Sequence, residues 1–66
     1  MSKLKPEILT YLSENLKLKE SSVRQHISHE RTKHPKATLN AAAQLFAQSR
    51  GKTVLRMLDD DDKTTL

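Results

Sequence analysis

An all-α bundle of three to four short helices is the fold class the sequence predicts. Three observations carry it. Apolar residues keep a helical spacing over 6–16 and again over 39–50, and no stretch alternates apolar and polar as a strand would. The single Gly and the two Pro fall at the edges of the periodic stretches, where they start or stop helices. The chain has 66 residues and no Cys, so it forms one domain at most, with a modest core and no disulfide to brace it.

The first helix is expected over 6–16. Pro6 suits its first turn, where the missing N–H costs nothing, and Glu7 complements the helix dipole. Ile8, Leu9, Leu12 and Leu16 form its apolar stripe, with Tyr11 at the edge. Residues 1–5 have nothing obvious to pack on. Lys17, Leu18 and Lys19 make a short connection, with Leu18 tucked beneath it.

The second helix is expected over 20–34. It must stop before Pro35, because the residue preceding proline avoids the α region. Only Val23 and Ile27 form an apolar line on it. A helix resting on a core ordinarily has a wider apolar stripe. This helix is therefore anchored along one narrow seam and shows most of its surface outward.

Thr38 is a good N-cap for a third helix over 39–50. Leu39, Ala42, Ala43 and Phe46 recur at i, i+3, i+4 and i+7, with Leu45 beside them, and the alanines permit close helix approach. This is the expected central element. Gly51 stands where a left-handed C′ residue is wanted. Val54, Leu55 and Leu58 suggest a short fourth helix over 54–58. The expected core is Ile8, Leu9, Leu12, Leu16, Val23, Ile27, Leu39, Ala42, Ala43, Leu45, Phe46, Val54, Leu55 and Leu58.

The formal charge of +4 hides an asymmetry. Residues 1–58 carry eleven Lys/Arg and four Glu, or +7, and the remaining acids are four consecutive aspartates at 59–62. The expected organisation is a basic helical domain over 1–58 and a flexible acidic tail over 59–66. Four adjacent anions at the end of a helix oppose its dipole and resist burial, so that helix should fray. A solvated tail is expected to aid solubility, or to visit the basic second helix and compete with phosphate there.

The outward face of the second helix holds residue types that contact phosphates and base edges. The first helix, the three-residue connection and the second helix together resemble the opening of helix-turn-helix DNA-binding domains, over residues 6–34. In this chain the connection lacks the small residue that such turns favour. Carried over position by position, the resemblance makes Ser21, Ser22, Arg24, Gln25 and Ser28 base-reading candidates, and Lys17, Lys19, His29, Arg31 and Lys33 phosphate contacts. A basic body and such a helix point to nucleic acid as partner, DNA before RNA. The alternative is a helical protein–protein module, alone or as part of a larger protein, using an apolar edge of Leu4, Tyr11, Met57 and Leu66.

Other function classes find little support. His26, His29 and Glu30 could begin a zinc site, but nothing supplies further ligands at a recognisable spacing. There is no Cys nucleophile, no glycine-rich phosphate loop and no carboxylate pair outside the tail, so no enzyme and no cofactor is expected. No apolar run approaches the roughly 18 residues of a membrane span, and the N-terminus has no apolar leader. A cytoplasmic protein without a membrane partner is the expectation.

Overall fold

The computed structural model describes residues 4–66. Pro6–Leu16 form helix α1, Glu20–Lys33 α2 and Leu39–Ser49 α3; a 3-10 turn spans Leu55–Met57 and a last helix, α4, spans Asp60–Lys63. The protein is an all-α bundle, as its spacing predicts. Among the described residues no helix is long and apolar enough to cross a membrane.

Helix α1 begins with Pro6 in its first turn and buries Ile8, Leu9 and Leu12. It ends at Lys17, which takes the left-handed conformation at φ 55° and ψ 43°. The Leu18 N–H then reaches back to the Ser13 carbonyl at 3.1 Å, while the Ser13 hydroxyl donates to the Leu18 carbonyl at 2.6 Å. That six-to-one closure is the helix stop usually built on glycine. Here a lysine occupies the strained position, and half-buried Leu18 packs against the core as anticipated.

Helix α2 buries only Val23 and Ile27, its predicted seam. His34 stops it in a non-helical conformation directly before Pro35. The loop that follows leads to Thr38, whose hydroxyl accepts the Ala41 N–H at 3.1 Å and caps α3.

Helix α3 is the central element. Asn40, Ala41, Ala42, Ala43, Gln44, Phe46 and Ala47 are all buried, more than one face's worth. Small side chains let α1 and α2 approach one side while the C-terminal segment closes over another. Gly51 takes φ 74°, its N–H bonds to Gln48 and the Lys52 N–H bonds to Ala47. These two bonds satisfy the last carbonyls of α3.

After Gly51 the structure departs from expectation. Residues 54–58 do not form the fourth helix; they make one 3-10 turn, which leaves Leu55 44% exposed while Val54 and Leu58 are buried. The buried Gln44 side-chain oxygen takes the Val54 N–H at 2.6 Å and holds the chain against α3. The turn goes no further because Leu58 is extended at ψ 143° and Asp59 already caps the next helix. Leu16, Leu39 and Leu45 of the expected core are half-buried, and Ala37, Ala41 and Ala47 join it.

The aspartates at 59–62 begin a helix instead of ending one. Three of them occupy the first turn of α4, where the dipole favours anions, and the Asp62 carboxylate reaches back to the Asp59 N–H at 3.3 Å. Asp62 is 1% exposed, against the expectation that none of the four is buried. Its carboxylate accepts the Thr38 hydroxyl at 2.7 Å and the Asn40 amide at 3.2 Å. These donors make burial of the carboxylate possible.

Residues 4 and 5, just ahead of α1, correct a second expectation. Half-buried Lys5 donates its backbone N–H to the Asn40 side chain at 2.9 Å, and its ammonium to the Met57 carbonyl at 2.8 Å and to Asp59 at 2.9 Å. Leu4 also packs against the core. Residues 1–3 lie outside the described residues.

Candidate nucleic-acid interface

The seam that seats α2 is narrow but well built. Val23 and Ile27 are 0% and 1% exposed. Between them half-buried His26 stacks its ring on Phe46 of α3, with centroids 4.8 Å apart and planes 7° from parallel. The Arg50 guanidinium lies 5.4 Å from the centre of the same ring. His26 is thus a packing residue of the α2–α3 contact, a role its polar sequence surroundings concealed. Among the described residues no group of three or more His, Cys, Asp or Glu is placed to hold a metal ion.

The opposite face of α2 is open. Ser21, Arg24, Gln25, Ser28, His29, Arg31 and Lys33 are exposed, as are Lys17 and Lys19 just before the helix. Ser22 is half-buried and turned toward the body, the one predicted base reader that the seam side takes. Arg24, Ser28 and Arg31 stand at i, i+4 and i+7, so they share one stripe with Ser21 and Gln25. Fourteen residues give α2 a length of about 21 Å. The lysines of the connection lie at one end of the stripe; Arg31, Lys33 and Lys36 lie at the other.

The electrostatics of this face are simple. The single ion pair among the described residues is Lys5 with Asp59, at the chain ends. No cation of α2 is paired with a carboxylate. Of the two glutamates on the helix, Glu20 sits in the first turn and Glu30 is half-buried on the seam side. Asp59 and Asp62 are engaged by Lys5, Thr38 and Asn40, so these two do not compete for the basic face of α2.

Two shallow concavities adjoin the C-terminal end of α2. One, of about 350 Å3, is lined by Ser28, Arg31, Thr32 and Pro35. The other, of about 370 Å3, lies between the α2–α3 loop and the chain end, with Lys33, His34, Lys36 and Leu66 among its walls. Thr32 and Pro35 carried no signal as site residues beyond their spacing from Ser28. Of the apolar edge considered for a protein partner, Leu4, Tyr11 and Met57 pack partly buried against the core, and Leu66 is 50% exposed.

Comparisons with protein-family models, with curated proteins and with solved structures find no match to this chain.

Proposed function

We propose that this chain is a nucleic-acid-binding module that uses the outer face of α2 on a duplex, DNA in the first instance. One observation carries the reading. A two-turn stripe of Arg24, Gln25, Ser28 and Arg31 is exposed and free of carboxylate partners, on a helix anchored by only two apolar side chains. Arg and Gln supply the paired donors and acceptors that base edges present in a major groove, and the cations beyond each end suit phosphates at its rims. A single strand is the poorer fit, because binding it draws on exposed aromatic platforms. The one Phe is buried, the one Tyr is half-buried, and there is no Trp.

A duplex titration at two salt concentrations tests this. Binding through about four phosphates weakens with a log–log salt slope near −3.6. Arg24→Ala and Gln25→Ala should each lose roughly 1–3 kcal/mol on a preferred site and less on random sequence. Lys33→Ala should weaken every sequence alike. Equal losses from all three reduce α2 to a nonspecific patch. No duplex binding at low salt, with self-association instead, overturns the reading in favour of a protein-interaction module.

A further inference from the structure

Ser28, Arg31 and Thr32 occupy positions i, i+3 and i+4 of α2, so their side chains leave the helix on neighbouring turns of one face. With Pro35 they wall the concavity of about 350 Å3. Its walls carry two hydroxyls and one guanidinium, and no carboxylate. The Arg31 side chain makes no hydrogen bond or ion pair among the described residues, so its planar fork of donors is available. The Thr32 hydroxyl donates to the Ser28 carbonyl at 3.2 Å, a long, exposed bond that a charged acceptor can displace. Pro35 offers no N–H and closes the far side with a rigid ring.

From this arrangement we infer that Ser28, Arg31 and Thr32 form a seat for one tetrahedral phosphate group. The Arg31 fork takes two phosphate oxygens side by side, and the Ser28 and Thr32 hydroxyls donate to a third. The negative end of the α2 dipole lies nearby and opposes an anion. Arg31 itself, Lys33 and Lys36 surround the same end and offset it. Ser28 thereby moves from base reading to backbone contact, and Thr32 enters the interface. The inference rests on α2 being the contacting helix when the phosphate is a backbone diester; free phosphate is the other source of the same chemistry.

The test uses the full chain labelled for NMR and titrated with inorganic phosphate against chloride at equal ionic strength. Shifts confined to Ser28, Arg31, Thr32 and Pro35 neighbours are expected. Arg31→Lys keeps the charge but loses the fork, and should weaken phosphate binding about five- to tenfold. Ser28→Ala with Thr32→Ala should weaken it comparably. All three positions are exposed, and an unchanged melting temperature checks the fold. A duplex arm then assigns the source. Loss of duplex affinity in Arg31→Lys, equal on all sequences, supports a backbone diester. Phosphate shifts that persist in a chain without duplex affinity support a free-phosphate seat and overturn the nucleic-acid reading alone. Shifts scattered over the other lysines, or an Arg31→Lys variant that binds phosphate like wild type, overturn the seat and leave duplex binding through Arg24 and Gln25 standing.

Discussion

Asp62 offers the sharpest stability test. As part of a solvated tail, its replacement by Ala changes nothing. As the buried acceptor for Thr38 Oγ1 at 2.7 Å, Asn40 Nδ2 at 3.2 Å and the Asp59 N–H at 3.3 Å, it holds the C-terminal segment on the start of α3. A hydrogen bond to a charged group contributes roughly 1.5–3 kcal/mol, and the short Thr38 bond belongs in that range. The two longer bonds add less, but Asp62→Ala also removes an acceptor from the buried Asn40 amide. The total is about 3 kcal/mol. At roughly 4–8 °C per kcal/mol for a domain of this size, the melting temperature should fall by about 12–24 °C. Thermal melts followed by circular dichroism, with urea titrations alongside, measure this. Asp60→Ala and Asp61→Ala are the controls: both side chains are exposed in the same turn and should stay within about 0.5 kcal/mol of wild type. Asp62→Asn is a stricter probe, because its amide turns a donor toward Asn40 or the Asp59 N–H and should recover only part of the loss. An Asp62→Ala variant that melts like its Asp60 and Asp61 counterparts would refute the buried network.

Three further outcomes follow from the packing. Phe46→Ala removes the ring that supports His26 and Arg50 and should cost roughly 3–5 kcal/mol in urea unfolding; near-wild-type stability would mean α2 does not rest on this ring. Gly51→Val meets no neighbour within 4 Å yet must adopt φ 74°, so its cost of about 1–2 kcal/mol is conformational, whereas Lys17→Gly should stabilise by roughly 0.5–1 kcal/mol by relieving φ 55°. The hydrogen bond to Asp59 holds the Lys5 ammonium above the ordinary lysine value of 10.5. A raised value in the folded state contributes stability that is complete below the ordinary value and is lost as pH climbs through the raised one. The melting-temperature gap between wild type and Lys5→Met should therefore be constant from neutral to mildly alkaline pH and close in strong alkali; a gap that persists there removes the charge from the account.

The three long helices were legible because each is determined by nearby residues. Pro6 and Glu7 start α1, Pro35 limits α2, and Thr38 and Gly51 bracket α3. Helical spacing also separated the seam of α2 from its outer face, which is why nine of the ten predicted contact residues lie exposed and only Ser22 turns inward. The tertiary structure decided what happens where a local rule depends on which neighbour arrives. Residues 54–58 have a helical pattern, but Leu58 is extended and Asp59 caps a new helix, so only one 3-10 turn forms, held on α3 by Gln44. The aspartates at 59–62 are repelled by a preceding helix end and favoured by a following helix start, so the same charges change sign of effect when that helix fails to form. Burial of Asp62 then needs Thr38, Asn40 and, through Asn40, Lys5, partners 22 to 57 residues away along the chain, or linked through one another. A carboxylate's solvation cost is set by such distant donors, and no spacing rule in the sequence records them. The stacking of His26 on Phe46 and the grouping of Ser28, Arg31, Thr32 and Pro35 are likewise facts of packing. Periodicity alone determined which face of α2 is free; only the fold decided what shape that face has.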